Sequence, residues 1–321
     1  MDEMTLDQLD DDLAQLSQQY GRIPPSGVFE HASYLLKLSQ TMLDRTRSPQ
    51  QQTRLYYVAG QASALLAAVC FDLGSLTAAV TYARSASQYG KAVNHGPLQG
   101  FAYGMLAFMA FWDGRPTEAV CLAKKGLAFP GLGATTRRRL YAIEARGHGH
   151  QRHDVQAQRA IRDALEETGA DRDELHDGIG GEFAFDDART AMSNSTTCLL
   201  LRDAQGAEEL ASRALELHNE RRTSDRWFVI SAPAASNLAR ARIMAGEIEG
   251  AREALRPVLK IPVQWRGAGM LERLTAARCE LTHPALRGAR SAVDLAEEIE
   301  EFTALSPARR LGGTSPLAIE G

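Results

Sequence analysis

Ala107-Phe108-Met109-Ala110-Phe111-Trp112-Asp113-Gly114-Arg115-Pro116-Thr117-Glu118-Ala119 decides the architecture of this chain. A small residue, Ala107, is followed twelve positions later by Ala119, and Gly114 stands five residues before the second alanine. That offset joins two helices across a tight turn, and glycine suits the turn because it tolerates positive φ. The offset recurs in Ala67 with Ala79, Ala145 with Ala157, Ser195 with Ala207 and Ala239 with Ala251. The corresponding turn positions are Gly74, Gly114, Arg152, Arg202 and Gly246, at successive spacings of 40, 38, 50 and 44. Arginine at two of the five departs from the glycine preference.

Each alanine after a turn opens an apolar stripe at helical spacing. The stripes read Ala79, Tyr82, Ala83, Ala86; Ala119, Leu122, Ala123, Gly126, Leu127; and Ala157, Ala160, Ile161, Ala164, Leu165. The last two read Ala207, Leu210, Ala211, Ala214, Leu215 and Ala251, Ala254, Leu255, Val258, Leu259. Such spacing lines one face of a helix. A single helix pair cannot bury that face, whereas stacked pairs can.

Amphipathic patterns flank the repeats. Leu6 to Tyr20 and Val28 to Leu43 precede them, and Ser48-Pro49 marks the start of the next helix. Met270 to Leu281 and Ala289 to Phe302 follow, with Ala292, Val293, Ala296 and Ile299 expected to seal the stack and Glu297, Glu298, Glu300 and Glu301 to face water. The expected organisation is capping helices over 1–48, repeats over 49–262, capping helices over 263–306 and a flexible tail over 307–321. The 50-residue spacing comes from an insertion, Glu167 to Asp187, that carries Gly169, Gly178, Gly180 and Gly181. Long glycine-rich loops in compact arrays are often functional.

Composition narrows the class. A net charge of −4, with six acids and no base among the first twelve residues, disfavours a phosphate backbone as partner. The four cysteines, at 70, 121, 198 and 279, match neither metal spacing nor a disulfide framework. Cys70 and Cys198 share one repeat position and read as core thiols of a cytoplasmic protein. The most apolar run, Phe101 to Trp112, has 12 residues, fewer than the about 20 that span a membrane. No phosphate-binding loop, dinucleotide fingerprint, nucleophile elbow or other cofactor signature is found.

A small residue, alanine twelve on and a small or apolar residue seven further resembles the tetratricopeptide (TPR) repeat. Further stretches narrow the likeness: Arg22-Ile23-Pro24-Pro25, Leu55 to Gln61, Phe71-Asp72-Leu73-Gly74, Phe111 to Val120, Gly180 to Phe185 and Leu255 to Leu259. Together they resemble the TPR-like C-terminal region of actinobacterial helix-turn-helix regulators of the Cro/C1 type, from about Leu6 to Phe302. The resemblance implies an all-α, right-handed solenoid of about five helix pairs with capping helices, and signal-dependent regulation. Those regulators carry a DNA-reading helix-turn-helix ahead of the repeats. Here Met1 falls almost at the first repeat-region helix: either the chain starts earlier or this is a paralogue without its own DNA contact, so no DNA-binding residue carries over, and no direct nucleic-acid contact is expected.

The resemblance also implies a concave groove lined by first helices. Arg139, Arg146, Arg189 and Arg240 fall at its inward positions, with Ser236 and Asn237 nearby. Arginines so placed attract carboxylates and phosphates; the alternative is that they pair with acids on neighbouring helices or face water. Phe101, Phe108, Phe111 and Trp112 read either as an apolar pocket beside them or as core. The expected ligand is a peptide, a protein partner or a small anionic signal.

Three other clusters carry competing readings. His148, His150 and His153 are two, three and five residues apart, whereas helical metal ligands favour i and i+4, so a helix end is the expectation. Asp177, Glu182, Asp186 and Asp187 read as a solvated loop rather than as catalytic carboxylates. Trp227-Phe228, after Arg221-Arg222, reads as core or as the anchor of a partner or homodimer contact. The reading is therefore a non-enzymatic recognition protein with no cofactor and no metal. A passive scaffold and an enzyme on a helical frame are the alternatives.

Overall fold

The five turns form where the twelve-residue offset places them. Gly74, Gly114 and Gly246 have φ of 86°, 70° and 85°, and Arg152 and Arg202 follow at 59° and 63°. The closing bonds are those of a left-handed helix cap: Arg115 N–H donates to Ala110 O, His153 to His148, Asp203 to Cys198 and Glu247 to Arg242. The ten phased small residues, Ala67 and Ala79 through Ala239 and Ala251, are all 0% exposed. Small side chains at these sites bring backbones close and leave no room for water.

The computed structural model describes residues 3–220, 228–286 and 288–306. Among them are fourteen α-helices and no strand. Trp227, Arg221, Arg222 and the 307–321 tail lie outside the described residues. The chain forms two compact units, Met1–Phe71 with Leu76–Asp186 and Asp72–Ser75 with Asp187–Gly321.

The first unit holds α1 (Glu3–Gln19), α2 (Pro25–Leu43), α3 (Pro49–Asp72), α4 (Leu76–Ala92), α5 (Gly96–Trp112), α6 (Pro116–Leu127), α7 (Ala134–His150) and α8 (Asp154–Glu166). Sequence neighbours pair, α5 with α6 and α7 with α8, and the first helices α5 and α7 also meet directly. This is the packing of an α-solenoid. Three acids of α1 converge on Arg54 of α3: Glu3 at 2.9 Å, Asp7 at 2.5 Å and Asp10 at 2.5 Å.

Helix α3 revises the expectation about apolar length. It has 24 residues and is long and apolar enough to cross a membrane, but 83% of its apolar window is buried by the rest of the fold. The sequence pattern drew attention to Phe101–Trp112 because α3 interrupts its apolar residues with Gln61 and Ser63, both buried.

The second unit holds α9 (Asp187–Leu200), α10 (Ala204–Asn219), α11 (Phe228–Ala245), α12 (Ile248–Leu255), α13 (Ala268–Leu281) and α14 (Arg290–Ala304). α9 pairs with α10 and α11 with α12, and the first helices α9, α11 and α13 follow one another. Its end is sealed by Ala292, Leu295, Ile299 and Phe302 against Leu271, Leu274 and Val258. Val293, expected in that seal, is 49% exposed, because the inward face of α14 runs through Leu295 instead. Leu165 is likewise 51% exposed, since α8 ends at Glu166 and the chain turns away into the insertion. Cys70 and Cys198 are buried, as expected, and burial pushes both thiols up to about 12.

Candidate functional site

The insertion does not loop into solvent. Within the first unit it folds back onto α1, α5 and α7 and builds a polar centre there. Its approach is clamped first. Arg137 of α7 makes a two-pronged pair with Glu167 (2.9 and 3.0 Å) and reaches Asp171 at 3.1 Å, while Arg138 donates to the Glu167 carbonyl. Arg137, Glu167 and Asp171, with Tyr141, Asp163 and Glu166, border an open polar cleft of about 250 Å³.

Past Asp171 the chain forms one π-helical turn, Glu174–Ile179, capped by Asp173. The Asp173 carboxylate accepts from Gly133 N–H (2.9 Å), His176 N–H (2.8 Å), Thr136 Oγ1 (2.6 Å) and His176 Nδ1 (2.9 Å). Because the Thr136 hydroxyl proton goes to Asp173, the His176 proton sits on Nδ1 and Nε2 carries a bare lone pair. His176 Nε2 is buried with no hydrogen-bond partner. The ring lies 5.8 Å from Phe101. Burial drives the His176 pKa down, and Arg139 adds to that, against the opposing pull of Asp173. Burial works against charge on Asp173 too, but the His176 and Thr136 contacts outweigh it and hold the carboxyl below its ordinary range. The pair is thus an ionised aspartate and a neutral histidine.

Neighbouring groups complete the centre. Asp177 accepts from Thr135 Oγ1 at 2.7 Å and from Asp173 N–H at 2.9 Å. His95, whose Nδ1 caps α5 by accepting from Leu98 N–H, must carry its proton on Nε2, which donates to Glu174 at 2.5 Å. Tyr57 of α3 stacks on His95 with centroids 4.5 Å apart. After the π-turn, Gly180 O accepts from Ser17 Oγ at 2.8 Å and Glu182 N–H donates to Ser17 O at 3.0 Å. Gly181 is in the left-handed region (φ 64°), and a Cβ there would stand 2.2 Å from Ser17 O. Phe183 then inserts against Phe101, ring to ring at 5.0 Å, and Phe185 packs with Ala142, Ala164 and Tyr141.

The site residues read from the sequence fall in both units. In the first, α5 and α7 place the guanidinium of Arg139 4.1 Å from the Phe101 centroid and that of Arg146 5.5 Å from Phe108 and 5.9 Å from Phe111. Both partners advance seven residues, so these are two successive rungs on facing helices. Trp112 extends the upper rung, edge-on to Phe108 and Phe111. Phe101, Phe111, Arg139 and Arg146 are buried. Arg139 also donates to the Glu182 carbonyl at 3.4 Å and lies 4.0 Å from its carboxylate.

In the second unit Arg240 pairs with Glu280 of α13 at 2.8 Å, alongside Arg202 at 2.6 Å, which is the neighbouring-acid alternative. Burial opposes the charge on Glu280, but the Arg202 and Arg240 bonds prevail and lower its pKa. Asn237 Nδ2 straps α11 to α9 through Ser195 Oγ (2.8 Å) and Thr196 Oγ1 (2.9 Å), and Ser236 donates within its own helix to Ala232 O. Both are buried, as is Arg189 in the first turn of α9.

Two expectations change. Asp177, Glu182 and Asp186 are half-buried rather than solvated, and only Asp187 is exposed; the insertion is drawn inward by Leu175, Phe183 and Phe185. Phe228 is 45% exposed rather than core, with its ring 6.0 Å from Trp265. His148 and His150 stand in the last turn of α7, the expected helix end, with His148 buried against Glu144 at 3.4 Å, and no group of three metal-ligating side chains is assembled among the described residues. Asp173, His176, Thr136 and His95 escaped the sequence reading. The available signal was an aspartate three residues before a histidine at a helix start, beside apolar residues unusual for a solvated loop.

No protein-family model matches this chain, and no curated protein matches it significantly.

Proposed function

We propose that this chain is a TPR-type recognition protein of regulatory kind, a right-handed solenoid that takes a peptide or small anionic ligand on the faces of its first helices. Transcriptional regulation is the process that the sequence resemblance favours. The observation that carries the reading is the pair of arginine–aromatic rungs on α5 and α7, Arg139 with Phe101 and Arg146 with Phe108. A desolvated guanidinium beside a ring supplies both an anion-binding fork and an apolar wall. Such sites select carboxylate-bearing ligands with an apolar group. A thermal-shift screen of acidic peptides and carboxylated metabolites tests it. A ligand should raise the melting temperature of the wild-type protein and lose at least tenfold in affinity with Arg146→Ala. A protein that responds to none of them, and that binds only a folded partner with unchanged affinity in Arg146→Ala, is a scaffold instead.

A further inference from the structure

The insertion is held the way a bound peptide is held. Its main chain pairs with the receptor helices at Gly180 O, Glu182 N–H and Glu182 O, through Ser17 and Arg139. Its side chains at alternate positions, Phe183 and Phe185, enter separate apolar sites. Main-chain bonds for affinity and alternate side chains for selectivity are the signature of peptide recognition. The helix pairs also meet one another directly: α5–α6 and α7–α8 pair as the other repeats do, and the insertion is the extra length that makes one spacing 50 residues.

From this we infer that Gly180–Phe185 is an intramolecular ligand seated in a peptide site of the first unit, and that the exogenous ligand of that site is a turn-forming acidic–aromatic peptide of the type Gly-Gly-Glu-Phe-x-Phe. The inference rests on the recognition function proposed above and names its ligand class. Two turn bonds, Phe183 N–H to Gly180 O and Ala184 N–H to Gly181 O, set the shape such a peptide must adopt. Ser17 reads its main chain, Phe101 its first aromatic ring and Arg139 its acidic residue and carbonyl. The tethered copy competes at an effective concentration on the order of millimolar, so it sets a threshold that a free peptide must exceed.

Gly181→Ala separates the two halves of the site. It forces a Cβ into Ser17 O and strains the left-handed backbone of the tethered segment, while every receptor side chain is kept. A fluorescein-labelled peptide with the sequence of residues 178–187 is titrated into full-length protein by anisotropy. It should bind Gly181→Ala at least tenfold tighter than wild type, and Arg139→Gln on that background should return the affinity at least tenfold. A scrambled peptide should not bind. Saturating peptide should also raise hydrogen exchange of amides 174–185 in the wild-type protein, a readout that holds even where Gly181→Ala fails to fold. Equal binding of the scrambled peptide, or unchanged exchange at 174–185 under saturating peptide, overturns the inference. A different ligand that stabilises the protein through Arg146 while leaving 174–185 protected overturns it too, yet leaves the recognition function standing.

Discussion

Arg152 and Gly114 occupy the same position in successive helix pairs, with φ of 59° and 70°. The turn demands a left-handed residue regardless of which side chain is present. For a residue with a Cβ that conformation is strained, and glycine escapes the strain. Arg152→Gly should therefore stabilise the fold by about 0.5–1 kcal/mol, read as a higher urea midpoint with unchanged slope. Gly114→Ala should do the reverse. No atom lies within 4 Å of its added Cβ, so any loss isolates backbone strain from crowding. Equal midpoints for all three proteins would show that the turn relaxes freely.

The paired-helix frame was legible because it rests on a short-range rule. Ten small residues twelve apart are buried, and five turns adopt positive φ, two of them against residue preference. Helix packing distance depends on side-chain size at fixed phase, and phase is written in the sequence. The polar centre was not legible. It depends on Ser17, Phe101, Thr136 and His176 meeting across up to 160 residues of chain, and no local periodicity reports that. The arginine–aromatic rungs were half legible: register put Arg139, Arg146, Phe101 and Phe108 on one side, but not that the chain's own Phe183 already fills the space beside Phe101.

Asp173 accepts four hydrogen bonds in a buried setting, which an amide cannot reproduce. Asp173→Asn should destabilise the protein by about 2–3 kcal/mol, because charge-assisted bonds are lost and Gly133 N–H or Thr136 is left facing a donor. Exchange at the insertion amides should rise before global unfolding. A loss below about 0.5 kcal/mol would mean that the centre contributes little to holding the segment.

His176 makes the same centre sensitive to acid. The groups facing it are Asp173 and Asp177 from its own turn, Thr136 and Arg139 from α7 and the Phe101 ring from α5. Its folded pKa lies below the unfolded value of about 6.5, so the unfolded chain takes up the proton first as pH falls. Its contribution is whole above about pH 6.5 and is lost as pH falls towards the folded pKa. Asp173, lowered as well, keeps its contribution down to about pH 3.9 and loses it below that. Urea midpoints from pH 8 to pH 5 should fall more steeply below pH 6.5 for wild type than for His176→Asn, which keeps a donor near Nδ1 but does not titrate. Parallel curves would place the acid sensitivity elsewhere.

Arg54 gathers Glu3, Asp7 and Asp10, and the sign of its salt response can be stated in advance. In the wild type, added salt screens an attraction between α1 and α3 and should lower stability slightly. In Arg54→Met the same three acids repel one another with no cation among them, so salt should raise stability. The substitution itself should cost about 1 kcal/mol, since two of the acids are well exposed. Melting temperatures at low and high sodium chloride decide it: a same-sign salt response in both proteins would remove Arg54 as the link between these helices.

Gly96 and Gly27 both stand in the first turns of helices, α5 and α2, yet should answer opposite ways to alanine. A Cβ on Gly96 would sit 1.8 Å from the Pro130 carbonyl oxygen, a backbone atom that cannot rotate away. Either α5 or the segment after α6 must shift, which sets the cost of Gly96→Ala at about 3 kcal/mol or more. A Cβ on Gly27 meets nothing closer than Ile23 Cδ1 at 4.0 Å, so Gly27→Ala should gain about 0.5–1 kcal/mol from helix propensity and a less flexible unfolded chain. Urea midpoints of the two variants, measured side by side, should move in opposite directions. A Gly96→Ala protein as stable as wild type would mean that α5 does not approach Pro130 as closely as the fold requires.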